Sequence, residues 1–204
     1  MPEPKDELLN VYDQAGEVVG AMARGNAKAK GFAAGAVQLL LVNPDGRVLL
    51  QRRREDKENG GLWDKSVGGH VQAGESFDAA LIREANEELF GRKDADRVVL
   101  VEDLASRAKD PRPVRAKRVR FELGLRDIRY ADIPGRPIIN VTYHAALYLG
   151  RTALALEDFS RQQEELSDLR WFEPARVDAM LLRGELAPNM GFLWFALGRL
   201  VTLA

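Results

Sequence analysis

Between Gly69 and Gly91 the sequence GHVQAGESFDAALIREANEELFG gathers Glu75, Glu84, Glu87 and Glu88 around a single Arg83. Positions i, i+3 and i+4 of a helix share a face. Glu84, Glu87 and Glu88 therefore point the same way, within about a quarter turn at 100° per residue. Carboxylates at that density repel one another unless something positive sits among them, and a hard divalent cation such as Mg²⁺ prefers oxygen ligands. Arg83 is within reach of Glu87 one turn on, or of Glu75 in the preceding loop, so it can orient a carboxylate as well as offset its charge. A solvated acidic helix face has the same spacing. The loop in front separates the two readings, because Gly68, Gly69 and Gly74 permit a close approach of backbone to ligand.

The helix that carries these groups is predicted from Phe77 to Phe90, closed by Gly91 in the C′ role. Leu81, Ile82, Ala85 and Leu89 fall on the adjoining sector and anchor it to a sheet. That sheet is legible around it. Glu7 to Ala23 reads as an edge hairpin turning at Gln14-Ala15-Gly16, and Gly25 to Gly35 as a loop. Ala36 to Val42 is an apolar run fit for a buried strand, Asn43-Pro44-Asp45-Gly46 a turn, and Val48 to Arg52 the returning strand. Arg53 to Gly61 is a charged loop. Further strands are expected at Val98–Leu104, Arg118–Leu125, Ile138–Leu149 and Leu169–Phe172. Pro174 opens a helix to about Arg183, and Asn189–Leu200, apolar all round, is a last, buried helix. This order suggests one α+β or α/β/α domain over residues 1–204. Residues 1–35 form a hairpin and loop, 36–173 a catalytic core and 174–204 the C-terminal helices.

Composition narrows the classes. The chain has 204 residues, is 46% hydrophobic and carries a net charge of −1, so no global field selects for nucleic acid. It contains no Cys, which excludes disulfides, thiolate metal sites and a Cys nucleophile and agrees with a cytoplasmic protein. The opening MPEPKDELLN has no apolar core of a signal peptide, and Met190–Leu200 is too short to span a membrane. Arg107, Lys109, Arg112, Arg115, Lys117, Arg118 and Arg120 make a basic stretch with Asp110 as its only acid. It is a solvated strand face, a lure for diphosphate or, less in keeping with the charge balance, an RNA contact. The hairpin and the apolar last helix are candidate surfaces for a homodimer.

The glycine loop and helix resemble the box of the Nudix hydrolases. That box reads Gly, five residues, Glu, seven residues, Arg-Glu, an apolar residue, any residue, Glu-Glu, any residue, Gly, apolar. Gly69, Glu75, Arg83, Glu84, Ala85, Glu87 and Glu88 match it, while Phe90 replaces the Gly and Gly91 follows one position later. The resemblance implies an α/β/α sandwich with a mixed β-sheet and hydrolysis of a diphosphate linkage in a nucleoside diphosphate derivative or related small molecule. By that likeness Glu84, Glu87 and Glu88, with the Gly68 carbonyl, hold Mg²⁺ or Mn²⁺, and Glu75 and Arg83 support them. Metal ions neutralise diphosphate oxygens and deliver water in line. The general base is either Glu84 or one of Glu164 and Glu165. Arg52 and Arg53 are the single-residue candidates for phosphate binding.

Leu62-Trp63-Asp64-Lys65-Ser66-Val67-Gly68-Gly69-His70-Val71 also resembles the matching loop of isopentenyl diphosphate isomerase, a Nudix relative that protonates an alkene with a Cys. Here Gly68 stands at that Cys position, and His70 and His144 are the only histidines. The expectation is therefore hydrolase chemistry on an isomerase-like branch. A prenyl diphosphate isomerase and a non-catalytic nucleotide-binding regulator are the alternatives.

Overall fold

The computed structural model describes residues 7–57, 59–92, 94–105, 110–129, 139–160 and 166–203. The expected hairpin is present as β1 (Leu8–Tyr12) and β2 (Val18–Ala23), joined by the turn at Gln14-Ala15-Gly16. The segment from Gly25 to Gly35, expected as a loop, instead holds a short helix α1 (Arg24–Lys30) and the start of β3 (Ala33–Val42). Its small residues were misleading because they serve packing. A Cβ on Gly35 would lie 2.8 Å from Val71 Cβ and 2.9 Å from the Tyr12 hydroxyl, so only Gly lets the strands close there. The boundary expected at residue 35 thus falls inside a strand.

β3 is buried along all ten residues, as a central strand covered on both faces must be. Its even positions, Ala34, Ala36, Leu40 and Val42, enter one core and its odd positions, Val37, Leu39 and Leu41, enter the other. β4 (Val48–Arg53) returns antiparallel, but the two strands pair only at Leu41/Leu49 and Val42/Val48. They then part. β4 pairs with β5 (Trp63–Asp64), while β3 pairs with β6 (Val67–His70). The Ser66 hydroxyl closes the junction, donating to Leu49 O (2.6 Å) and accepting from Leu41 N (2.7 Å).

α2 (Phe77–Phe90) follows, with the expected ends. The remaining elements are β7 (Val98–Leu100), β8 (Val114–Arg129), β9 (Ile139–Thr152), β10 (Leu166–Phe172), α3 (Pro174–Leu182) and α4 (Pro188–Leu203). The sheet runs β10-β4-β3-β9-β8-β7, parallel at β3/β9 and β7/β8 and otherwise antiparallel. α2 packs on one face and α3 with α4 on the other, so the fold is the expected α/β/α sandwich on a mixed sheet.

Three strand or helix expectations change in detail. The strand from Val98 stops at Leu100, because Asp103 and Leu104 turn away. β8 is longer than its alternating pattern, since register shifts at Arg118/Arg120 and Glu122/Leu125 break the period that marks a strand in sequence. α4 buries Met190, Leu193, Trp194, Leu197 and Val201 at helical spacing but leaves Phe195 84% exposed, so it is covered on one side only. No helix among the described residues is long and apolar enough to cross a membrane.

Candidate active site

The carboxylate helix is set by its caps. Ser76 at the N-cap accepts from Ala79 N at 3.2 Å, and Gly91 adopts φ +70°, with its N–H on Glu87 O at 2.8 Å. The shifted glycine of the box is therefore the αL residue that ends the helix. Ala80, Leu81, Ala85, Asn86 and Leu89 are its buried face. Ile82, expected among the anchors, is only half-buried, and Asn86 takes its place by accepting from Arg97 N at 3.2 Å.

Arg83 is the hub. Its Nε and Nη2 donate to the two oxygens of Glu75, each at 2.9 Å, its Nη1 donates to Glu84 Oε1 at 2.8 Å, and Nη2 also reaches His70 O at 2.9 Å. Glu87 Oε2 lies 4.0 Å from Nη1. A bidentate fork onto a carboxylate fixes direction as well as distance, so Glu75 locks the guanidinium and the guanidinium locks Glu84. Glu75 Oε2 in turn accepts from Gln72 N at 3.1 Å. Burial works against the Arg83 charge, but Glu75 and Glu84 outweigh it and hold its pKa above the usual value.

Glu88 sits apart from this network. Gln51 Nε2 donates to Glu88 Oε2 at 3.1 Å and Gly68 N at 3.4 Å. The Gln51 amide also donates to Ser66 O. Although Glu88 is half-buried by surface, its carboxyl is enclosed by protein. That desolvation, with Glu84 nearby, pushes its pKa up to about 8. Glu84 is raised as well, by burial first and then by Glu87 and Glu7 against the opposing Arg83.

The glycines make the crowding possible. A Cβ on Gly69 would lie 2.0 Å from Glu84 Cδ and 2.2 Å from its Oε1, and a Cβ on Gly68 would lie 2.1 Å from Lys65 Cε. The Lys65 stem therefore crosses over Gly68, and its ammonium pairs with Asp64 Oδ1 at 3.0 Å. Burial alone would raise the Asp64 pKa, but Lys65 and then Arg53 hold it down.

Each carboxylate is thus turned onto a donor of the protein. For that reason the expected convergence of the three is not seen in the side chains as placed. Among the described residues no three His, Cys, Asp or Glu side chains form a group that could hold a metal ion. The chemistry of the donors nevertheless fits a hard cation. Glu75, Glu84 and Glu87 share one guanidinium while Glu88 has none, every candidate ligand is an oxygen, and burial raises the pKa values of Glu84 and Glu88.

The other expected site residues are scattered. Strand alternation puts Gln51 and Arg53 on the carboxylate face and Arg52 on the opposite one, paired with Trp63. Arg52 Nε is bound to Gly61 O at 2.9 Å. Glu164 and Glu165 lie outside the described residues, as do Arg107 and Lys109. The described part of the basic stretch is largely neutralised where it stands. Arg112 pairs with Asp110 (2.6 Å) and Asp96 (3.2 Å), Arg118 with Asp78 (3.3 Å) and Arg120 with Glu122. Arg115 donates to the carbonyls of Asp103 and Leu104. His144 is buried, with Nδ1 accepting from Gly124 N at 2.9 Å and Nε2 on Asp13 O at 2.6 Å, so it is a packing residue. Sequence reasoning passed over Gln51 and Lys65. The one signal for Gln51 is a polar residue on the buried parity of an apolar strand.

A family model described as NUDIX domain matches residues 33–191. The chain belongs to the Nudix family. An uncharacterized Nudix hydrolase of Streptomyces coelicolor is 44% identical over 85 residues, 41% of this chain and 47% of that protein. Isopentenyl-diphosphate Delta-isomerase 2 of Photorhabdus laumondii is 32% identical over 85 residues, 41% of this chain and 48% of that protein. The chain spans about half the length of the curated relatives it matches. A crystal structure of a Deinococcus radiodurans protein shares the fold with a TM-score of 0.63 at 22% identity, covering 92% of this chain and 96% of that one. The Nudix match extends past residue 173 through α3 and ends at residue 191, within the first turn of α4.

Proposed function

We propose that this Nudix protein is a metal-dependent hydrolase that cleaves a diphosphate linkage in a nucleoside diphosphate derivative or related small molecule. The observation that carries the reading is the Glu75–Arg83–Glu84 network beside the enclosed, charge-starved carboxyl of Glu88. A protein that used this helix only as a surface would have no need to bury carboxylates against one another. Glu84, Glu87 and Glu88 would hold Mg²⁺ or Mn²⁺. The Gly68 carbonyl would join them, because the Gly68 N–H points at Glu88 and in an extended strand both groups of one residue point to the same side. When bound, the ion neutralises diphosphate oxygens and lowers the pKa of a coordinated water.

The chain's own residues do the rest. Glu75 and Arg83 hold Glu84 at a fixed angle, and the Gln51 amide holds Glu88. Arg53, on the carboxylate face, is the phosphate-binding candidate that geometry favours over Arg52. Glu84 remains a candidate base, with Glu164 and Glu165 as the alternatives.

The isomerase reading draws on the likeness to the Photorhabdus enzyme but lacks the residue that the resemblance requires. The protein has no Cys, and the position where the resemblance would put one is Gly68. A phosphate-release screen with Mg²⁺ over nucleoside triphosphates, sugar and ADP-ribose diphosphates, dinucleotides and CoA derivatives tests the proposal, with Glu87→Gln as the control. Turnover of at least one class, reduced at least tenfold in Glu87→Gln, is expected. No turnover by the wild type, or equal rates in the variant, sinks it.

A further inference from the structure

The box loop is held from outside the matched domain. β1 lies upstream of residue 33, where the Nudix match begins, yet it runs alongside the loop that leads into α2. Asn10 N donates to Val71 O at 3.2 Å, Ala73 N donates to Leu8 O at 2.9 Å, and Leu9 bridges Gln72. Gln72 Nε2 reaches Glu7 Oε1 at 3.0 Å. These contacts tie β1 to residues 71–73 along its length.

One side chain reaches further. Leu9 and Val11 face the core beneath α3 and α4, so alternation turns Asn10 and Tyr12 toward α2. Tyr12 meets Phe77, the first residue of α2, with ring centroids 5.7 Å apart. Asn10 is 5% exposed, and its amide uses both ends on the turn before the helix. Its Oδ1 accepts from Gly74 N at 3.0 Å and its Nδ2 donates to Glu75 O at 3.1 Å. A buried amide satisfied at both ends has one orientation. Gly74 has φ +79°, so the turn it forms has a conformation the amide can brace.

We infer that Asn10 is a positioning residue for the carboxylate centre. By clamping the Gly74–Glu75 backbone it sets where the Glu75 carboxylate meets Arg83, and through Arg83 it sets Glu84. The inference rests on the proposed function and adds to it a residue of the N-terminal hairpin. Side chains that orient a ligand from behind commonly change metal affinity by about 10–100-fold when removed. Asn10 acts through two intermediates, so the lower end of that range is expected.

The test compares Asn10→Ala and Asn10→Asp with Val11→Ala. The Asp variant keeps the acceptor for Gly74 N–H but loses the donor to Glu75 O. Val11 is equally buried on β1 and faces away from the box loop, so its variant reports hairpin destabilisation alone. Each protein is titrated with Mn²⁺ by calorimetry, assayed for kcat and KM on whichever diphosphate the wild type turns over, and melted. Both Asn10 variants should bind Mn²⁺ about tenfold more weakly and lose kcat with KM within about twofold, while Val11→Ala at a matched loss of Tm keeps both. Asn10 variants that equal Val11→Ala in Mn²⁺ affinity and kcat overturn the inference. A wild type that binds Mn²⁺ but turns over no substrate overturns the hydrolase reading alone, and the affinities then decide the role of Asn10. A wild type that does neither overturns both.

Discussion

Replacing Glu88 by Gln should make the metal-free protein more stable while abolishing its response to metal. The folded protein holds the Glu88 carboxyl at a pKa of about 8, against an ordinary value of 4.5. Between those two values the folded state binds a proton that the unfolded state has lost. Stability therefore falls as pH rises through that window and levels off above it. At 1.36 kcal/mol per pH unit the full span corresponds to roughly 5 kcal/mol, and the part already incurred at pH 7 to about 3 kcal/mol. The amide of Gln is isosteric and uncharged, and its oxygen can still accept from the Gln51 amide and from Gly68 N–H. Melts in EDTA should show the variant higher by on the order of 5–10 °C at pH 7, since a chain of this size shifts about 2–4 °C per kcal/mol. The wild-type Tm should decline from pH 5 to pH 8 while that of the variant changes less. Added Mg²⁺ should raise the wild-type Tm and leave the variant unmoved, because binding to the folded state alone stabilises it. A variant that melts below the wild type in EDTA would refute the reasoning, for it would mean that the enclosed carboxylate is a favourable contact and not an uncompensated charge.

Gly69→Ala places a Cβ within 2.0 Å of Glu84 Cδ, so Glu84 must move by more than 1 Å. A displacement of that size commonly costs about 100-fold in kcat, and steady-state rates near wild type would count against Glu84 as a metal ligand or base. Arg52→Ala should leave KM within about twofold and Arg53→Ala should raise it severalfold, in keeping with their opposite faces on β4; the two KM values are the check. Tyr148→Phe deletes the hydrogen bond from a fully buried ring to Asp78 (2.6 Å) in the first turn of α2. It should lower stability by about 1–2 kcal/mol in urea melts, as loss of a donor to a charged partner does.

The legibility of the chain followed how local each signal was. α2 was legible at both ends, because its carboxylate spacing, its apolar sector and its closing glycine are all local in sequence. β4 was nearly as clear. α1 was hidden because its small and polar residues match a loop in composition, and the start of β3 because the reason for Gly35, close packing against Tyr12 and Val71, lies in other segments. Gln51 was hidden between Leu50 and Arg52 for the same cause, since its meaning depends on Glu88, 37 residues away. The fork of Arg83 onto Glu75 was anticipated as one of two options. The His70 carbonyl, its third partner, is backbone and carries no side-chain signal at all.

The junction at Ser66 bears on how such a protein can diversify. β3 and β4 share only two residue pairs before they separate, and a single hydroxyl spans the point of separation. Gly68, Gly69 and His70 are registered on β3 from that point, and Gln51 on β4. The charged loop from Arg53 to Gly61 leaves from one bank and returns to it, anchored by Arg53 N on Leu62 O and Gly61 N on Arg53 O. Its length and composition can drift without moving the register of either bank. Changes in that loop over generations would therefore leave the strand register that holds the carboxylates as it is.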